Sequence, residues 1–147
     1  MTLKERIQED MKSAMRGGER ERLATVRLIL AGIKQREVDE RISLDDTQVL
    51  AVLEKMVKQR RESISAFQAG GRSDLVAKEQ AELDLLQTYL PEPLDEAAID
   101  ALIGTAMAES GATSVKDMGK VMALIKTRAA GRVDMGALGA RVRSRLS

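Results

Sequence analysis

The residues that could do chemistry in this chain are lysines, serines and carboxylates, because its 147 residues include no Cys and no His. Their absence excludes a thiolate nucleophile, a Cys-based zinc site and a Ser-His-Asp triad. Five serines stand in ordinary helix, cap or loop positions with no marker of activation: Ser13, Ser63, Ser65, Ser110 and Ser114. We therefore predict no catalytic residue and no cofactor.

The dipeptide Gly119-Lys120 matches the end of a Walker phosphate-binding loop, but the rest of that motif is missing. The motif needs Gly five residues earlier and Ser or Thr directly afterwards. Those two positions hold Ser114 and Val121. The pair Asp45-Asp46 could bind Mg²⁺ weakly, but it is typical of acidic residues in a first helical turn, where they favour the helix dipole. We predict neither a nucleotide loop nor a metal site.

Positive charge is concentrated near the end of the sequence, although the whole chain has a net charge of only +1. From Ser110 onward there are eight basic and two acidic residues, a local net charge of +6. With one Phe and one Tyr, the chain has no aromatic platform for stacking bases, so any RNA contact would be with phosphates and shape. The alternative is a solvated surface whose arginine stems cover the edge of the core. The candidate RNA-binding residues are Lys116, Lys120, Arg132, Arg141, Arg143 and Arg145.

Helices must position these charges, because apolar residues recur at helical spacing and no period-2 stretch of β-branched residues is present. Glycines and prolines mark the ends of the predicted helices. The step Pro91–Pro93 is the best domain boundary, since both prolines resist continuation of a helix. We predict an all-α fold with no sheet, domains at residues 1–91 and 92–147, and helices near 2–16, 19–39, 43–69, 73–89, 95–109, 114–129 and 134–146.

Capping boxes support the starts of three of these helices. In each box a Ser or Thr is followed three residues later by an acidic residue: Thr2 with Glu5, Ser43 with Asp46, and Ser114 with Asp117. Apolar residues recur every four positions in the first helix, which predicts one buried stripe of Leu3, Ile7, Met11 and Met15. In the sixth helix the residues predicted to face inward are Val115, Met118, Met122 and Ile125.

Three charged residues fall on apolar helix faces in the first half of the chain. Arg60 lies in the middle of such a face in the third helix, Glu79 in the middle of the corresponding face of the fourth, and Glu82 on its flank. If these helices form a hairpin about Gly71, Arg60 meets Glu82 or, one turn away, Glu79. We predict an inter-helix ion pair, and the alternative is a partner-binding groove with charged walls. Glu37 also lies on an apolar face, with no identified partner.

No part of the sequence has the pattern of a membrane span or a secretory signal. The first residues are charged where a secretory signal is apolar. No uncharged run approaches the roughly 20 residues that span a bilayer. We expect a cytoplasmic location, no membrane partner and no DNA partner.

Short segments spread along the chain form one ordered pattern that covers nearly all of it. Before the boundary they are Glu21-Arg22-Leu23-Ala24-Thr25-Val26-Arg27-Leu28-Ile29, Ile33-Lys34, Glu37-Val38-Asp39, Lys58-Gln59-Arg60-Arg61-Glu62-Ser63, Gly71-Arg72-Ser73-Asp74-Leu75, Glu79, Glu82-Leu83 and Tyr89-Leu90-Pro91. After it they are Met118-Gly119-Lys120-Val121-Met122, Gly131-Arg132-Val133-Asp134, Val142 and Leu146. Together these segments resemble the GatB/YqeY domain family. One departure is Ala123, where family members often carry Gly.

The resemblance implies two small three-helix units joined by a partly helical connector. It also implies kinship to the C-terminal region of the B subunit of tRNA-dependent amidotransferases, a region associated with tRNA engagement. Amide chemistry in that enzyme occurs in other domains and subunits. By kinship, stand-alone members are often labelled carbon–nitrogen ligases with glutamine as amido-nitrogen donor. The ATP- and metal-binding domain is absent from this sequence, so we expect no catalysis from this chain alone.

The first hypothesis is therefore an accessory module that binds tRNA. The family motifs support Lys120 and Arg132, whereas charge and helix face alone support Lys116, Arg141, Arg143 and Arg145. The second hypothesis is a protein-interaction adaptor without RNA binding. Its surface would be the groove between the two helical units, lined by the methionines of the sixth helix, because Met suits adaptable surfaces. A free-standing glutamine-dependent amidotransferase is the third.

Overall fold

The computed structural model describes residues 1–147 as seven α-helices and one short 3-10 helix, with no β-strand. The α-helices are α1 Leu3–Arg16, α2 Arg20–Glu40, α3 Asp46–Ala69, α4 Ser73–Gln87, α5 Glu96–Ser110, α6 Met118–Ala129 and α7 Met135–Leu146. The 3-10 helix is Val115–Asp117, directly before α6. The predicted all-α fold is confirmed. No helix is both long and apolar enough to span a membrane.

The chain divides into two compact units, Met1–Leu90 and Pro91–Ser147, each with its own apolar core. The core of the first unit is built by α1 to α4 and includes Ile7, Val26, Ile29, Ile33, Val49, Leu53, Leu83, Leu86 and Tyr89. Helix α4 belongs to the first unit and packs on α3. The core of the second unit is built by α5 to α7 and includes Ile103, Ala106, Val121, Ile125, Leu138, Val142 and Leu146.

The buried stripe of α1 differs from the one predicted, because Ala14 is fully buried and Met15 is 52% exposed. A strict spacing of four residues advances about 400° and so rotates by about 40° at each step. Met15 is three steps from Leu3 and has rotated off the face. Ala14 is seven residues from Ile7 and returns close to the same direction.

The start of α3 also differs from the prediction. The capping box there is formed by Asp45 and Gln48: the Gln48 N–H donates to the Asp45 carboxylate, and the Asp45 N–H donates to the Gln48 side chain, each at 2.9 Å. Ser43 takes no part in it. Asp46 instead accepts a hydrogen bond from the Leu3 N–H at 2.9 Å, which ties the starts of α1 and α3 together.

A tight reversal at Gly71 joins α3 to α4 in an antiparallel hairpin. Gly71 has a φ of 68°, a left-handed conformation that a residue with a Cβ adopts only at a cost. The Arg72 N–H donates back to the Phe67 carbonyl at 2.9 Å and closes the end of α3. This geometry places the middle of α3 opposite the middle of α4.

The α-helix predicted near residues 114–129 begins later in the structure. The residues Val115–Asp117 form a 3-10 turn, and α6 itself begins at Met118. Val115 is 41% exposed, so the expectation that it faces inward is wrong. The reason is geometric: a 3-10 turn winds more tightly than an α-helix, so extending the α-helical face back to Val115 gives the wrong direction.

Candidate nucleic-acid interface

The six candidate RNA-binding residues of the second unit differ in whether their side chains already contact other groups of the protein. Arg141 of α7 donates from Nη1 to the Glu96 carboxylate at 2.8 Å and from Nη2 to the Asp100 carboxylate. Arg145 of α7 donates from Nη1 to the Asp100 carbonyl at 3.2 Å. These two guanidinium groups hold α7 against α5. The charge of Arg141 is thus already neutralised by two carboxylates, whereas Arg145 is held by a backbone carbonyl and keeps its charge.

Arg132 is only partly engaged by the protein, because one of its three side-chain nitrogens forms a hydrogen bond. Its Nε donates to the Glu92 carbonyl at 2.9 Å, and its own carbonyl accepts from the Leu94 N–H at 2.9 Å. The two terminal nitrogens have no protein partner. The side chain is fixed in place with part of its guanidinium group still able to bind an anion.

Lys116, Lys120 and Arg143 are the three candidates that are exposed and whose side chains form neither an ion pair nor a hydrogen bond within the chain. Gly119 lies between the two lysines and is also exposed. A Cβ added at Gly119 would meet no atom within 4 Å, so the backbone there is open to solvent. A ligand that approaches these lysines would meet no side chain at Gly119.

Asp117 fixes the backbone from which the two lysines project. Its carboxylate accepts from the Thr113 N–H at 3.0 Å and from the Ser114 N–H at 3.3 Å. These backbone hydrogen bonds lower the pKa of Asp117 below its usual value, and the one from Thr113 has the largest effect. The positive charge of Lys120 also lowers this pKa. Asp117 therefore acts as the reciprocal acceptor expected from the Ser114–Asp117 spacing.

Arg143 lies one turn beyond the contact between α7 and α6. That contact is at Gly139, where an added Cβ would lie 3.5 Å from Met118 Cε and 3.9 Å from Met122 Cε. A residue four positions further along a helix shares the same face. Arg143 is thus on the side of α7 that borders Met118 and Met122 of α6.

In the first unit, Arg60 contacts both of the carboxylates that share its apolar face. Arg60 Nε lies 2.9 Å from Glu82 Oε2, and Arg60 Nη1 lies 3.4 Å from Glu79 Oε2. The three side chains are only 21, 15 and 16% exposed for Arg60, Glu82 and Glu79. The Oε2 atom of Glu79 is buried with no hydrogen-bond partner. The cluster therefore depends on the charge of a single arginine.

Glu37 has the partners that sequence reasoning did not find. Its carboxylate accepts two hydrogen bonds from Lys4 Nζ, at 2.8 and 3.0 Å, and one from the Leu44 N–H at 2.9 Å. The first donor comes from α1 and the second from the turn before α3, so Glu37 of α2 joins three parts of the first unit. These hydrogen bonds lower the pKa of Glu37 below its usual value. The one from Lys4 has the larger effect, and the one from the Leu44 N–H comes second.

A Glu37→Gln substitution is expected to remove part of the pH dependence of stability. Because the folded-state pKa is lowered, the charged form stabilises the fold above the unfolded value of 4.5, and this contribution is lost as pH falls through the folded value. The variant should be less stable than the native protein at neutral pH. The difference should shrink between about pH 5 and pH 3. Urea midpoints measured across that range test this, and a difference that stays constant with pH would contradict it.

Tyr89 links the end of the first unit to α1. Its hydroxyl donates to Asp10 at 2.5 Å, and the Arg6 guanidinium lies 5.1 Å from the centre of its ring. Burial, and after it the hydrogen bond to Asp10, raise the pKa of Tyr89. The side chain is 4% exposed, so it belongs to the core and is not a base-stacking platform.

Comparison with known proteins supports the resemblance seen in the sequence. The profile of the family described as "Yqey-like protein" matches residues 4–146. Three curated fungal relatives share the name "Altered inheritance of mitochondria protein 41, mitochondrial". The chain is 38% identical over 129 residues to the protein of Pyrenophora tritici-repentis, covering 84% of this chain and 71% of that protein.

The other two relatives match shorter stretches. The protein of Eremothecium gossypii is 42% identical over 85 residues, which is 57% of this chain and 46% of the relative. The protein of Lachancea thermotolerans is 35% identical over 106 residues, which is 70% of this chain and 57% of the relative. The chain thus spans between about half and seven-tenths of the length of these relatives.

The expectation of a cytoplasmic location is wrong by this comparison, because the names of the relatives are those of mitochondrial proteins. The expectation rested on the absence of an apolar secretory signal and of a membrane span. Mitochondrial targeting segments are amphipathic and rich in Arg and Ser. The absence of an apolar secretory signal and of a membrane span therefore carries no information about a mitochondrial location.

Proposed function

Because this chain belongs to the Yqey-like protein family, we propose that it is a non-catalytic accessory module that binds tRNA in connection with tRNA-dependent amidation. The second unit binds the RNA by phosphate contacts. The link to amidation rests on the resemblance to the C-terminal region of the amidotransferase B subunit. Glutamine-dependent carbon–nitrogen ligation belongs to the larger enzyme, and no group of carboxylates in this chain is arranged to hold a metal ion.

The observation that carries the proposal is a group of exposed cations without an ion pair on the 3-10 helix, α6 and α7. Lys116, Lys120 and Arg143 are exposed without an acidic partner, although eight basic residues of this region compete for the carboxylates of the unit. Arg132 adds a fixed guanidinium group with two free nitrogens. When such groups contact phosphates, they displace counterions from the nucleic acid. The release of these counterions is a main source of binding affinity.

The chemistry of this surface favours phosphate contacts over base readout. Its candidate side chains are ammonium and guanidinium groups, and the second unit contains no aromatic residue. Phosphate contacts fix position and orientation but carry no sequence information directly. We therefore expect recognition of folded RNA by the spacing of its backbones, without preference for particular bases.

Fluorescence anisotropy of the purified protein with labelled total tRNA tests the proposal. Unlabelled tRNA and a length-matched plain RNA duplex serve as competitors between roughly 50 and 200 mM salt, where phosphate-driven binding changes steeply. We expect saturable binding that tRNA displaces and the duplex does not. Weak binding that both competitors remove equally would contradict the proposal and would favour the adaptor hypothesis.

A further inference from the structure

Helix α2 is apolar on two opposite faces, and only one of them is packed. The inner face buries Val26, Ile29 and Ile33 almost completely in the core of the first unit. On the outer face Leu28 is 47% and Val38 60% exposed. Two further residues of this face, Ala24 and Ala31, are exposed as well.

The outer residues follow the heptad spacing of a helix that packs against a second helix. Positions 24, 31 and 38 hold Ala, Ala and Val, and positions 28 and 35 hold Leu and Gln. The alternating steps of four and three residues are those of the a and d positions of a coiled coil. Gln35 donates to the Asp39 carboxylate at 2.9 Å, so the one polar side chain of the row already has a hydrogen-bond partner. We call these five positions the outer seam.

A row of unpaired basic residues borders the outer seam on one side. Arg20, Arg27 and Lys34 are seven residues apart, at the g positions of the same heptads, and each is exposed. None of the three forms an ion pair within the chain, whereas Arg22 and Arg36 of the same helix do. On the other side of the seam the e positions are Thr25, Gly32 and Asp39, and Gly32 packs on α3, where an added Cβ would lie 3.4 Å from a Val52 methyl group.

The charge pattern does not suit a second copy of this chain. An antiparallel pair would bring one row of g positions against the other, basic against basic. A parallel pair would bring the g row against the e positions, where Asp39 is the only acidic residue. The pattern suits a partner whose flanking residues are acidic.

We propose that the outer seam of α2 docks an amphipathic helix of a partner protein that carries acidic residues along one flank. Leu28 and Val38 provide apolar contacts, and the two alanines allow close approach of the partner backbone. Arg20, Arg27 and Lys34 pair with the acidic flank and set the orientation of the bound helix. This inference is independent of RNA binding, because it uses residues of the first unit only.

Two designed four-heptad peptides test the docking surface on the full chain. Both carry Ile at a and Leu at d, and they differ only in having Glu or Lys at the e and g positions. We expect the Glu peptide to bind saturably, at least about tenfold more tightly than the Lys peptide at low salt, because the charged flanks attract in one case and repel in the other. No binding of either peptide, or equal binding of both, would overturn the proposal.

Two variants separate the apolar and the charged contributions. The double substitution Leu28→Ser with Val38→Ser should reduce binding of the Glu peptide at least tenfold without lowering the melting temperature, because both side chains are exposed. The charge reversal Arg27→Glu with Lys34→Glu should invert the preference toward the Lys peptide. Retained preference for the Glu peptide after this reversal would overturn the proposal.

Two other occupants of the seam are distinguished by the same variants. If sedimentation equilibrium shows a dimer that the Leu28→Ser, Val38→Ser variant abolishes, the seam is an interface between copies and the proposal is wrong. If the Arg27→Glu, Lys34→Glu variant loses tRNA binding, the basic row contacts phosphate and the proposal is equally wrong. We expect a monomer and unchanged tRNA binding.

Discussion

Replacing Arg60 with Met is expected to destabilise the protein by about 2–4 kcal/mol, because it leaves the carboxylates of Glu79 and Glu82 without their cation. Both carboxylates are mostly buried, and Glu79 Oε2 already lacks a hydrogen-bond partner. Without Arg60 the two carboxylates lie beside each other in a poorly solvated place and have lost the cation that both contact. Urea unfolding, followed by circular dichroism, measures the loss.

The matched control for this prediction removes the stranded charges as well. In a triple variant with Arg60→Met, Glu79→Gln and Glu82→Gln, most of the lost stability should return, since a buried ion pair adds little net stability over neutral groups. If Arg60→Met and Glu79→Ala both unfold at the native urea concentration, the ion-pair interpretation is wrong. The charged walls of a partner-binding groove would then be the better explanation of these residues.

Substitution of the three unpaired cations is expected to weaken tRNA binding by roughly 10- to 100-fold at moderate salt, because each one removes a phosphate contact. The variant carries Gln at Lys116, Lys120 and Arg143. All three side chains are exposed and without an ion pair, so the fold of the second unit should be unaffected. Anisotropy with labelled tRNA gives the affinity, and thermal melting verifies the fold.

An equal change of charge elsewhere provides the control. Lys55, Lys58 and Lys78 of the first unit are exposed, and a variant with Gln at all three loses the same three positive charges. It should bind tRNA nearly as tightly as the native protein. Equal weakening in both variants would mean that only net charge matters, and it would contradict a binding face on α6 and α7.

The helices and the α3–α4 hairpin were predictable because their signals are local. Apolar periodicity, the glycine pair before Arg72 and the prolines after Leu90 are read directly from neighbouring residues. Once the hairpin turn is placed, helix geometry alone brings Arg60 near Glu79 and Glu82. The error at Met15 has the opposite origin, since a four-residue repeat was extended over more turns than the 3.6-residue period allows.

The ion-pair partners of Glu37 and of the basic residues after Ser110 could not be predicted, because they come from distant parts of the chain. Lys4 is 33 residues from Glu37, and Asp100 is 41 residues from Arg141. Glu96, Asp100 and Glu109 lie on α5, just before the region of net charge +6 that begins at Ser110. In the folded unit these carboxylates pair with Arg141 and Arg128, so half of the apparent excess charge is structural.

The sequence already contains a seven-residue repeat that marks the outer seam of α2, although α2 also has apolar residues on its other face. Arg20, Arg27 and Lys34 repeat every seven residues, which is visible without a structure. Apolar residues occur on both sides of the helix, and the stripe of Leu23, Val26, Leu30 and Ile33 predicts the side that faces the core. Burial of Val26, Ile29 and Ile33 decides between the two faces.

The salt dependence of tRNA affinity tests the central claim most directly. The slope of the logarithm of the association constant against the logarithm of salt concentration counts the phosphate contacts, at roughly one unit for each. We predict that the slope falls by roughly two to three units when Lys116, Lys120 and Arg143 become Gln, and that it stays unchanged in the Lys55, Lys58 and Lys78 variant. An unchanged slope in the first variant would contradict the claim that the second unit binds tRNA through these residues.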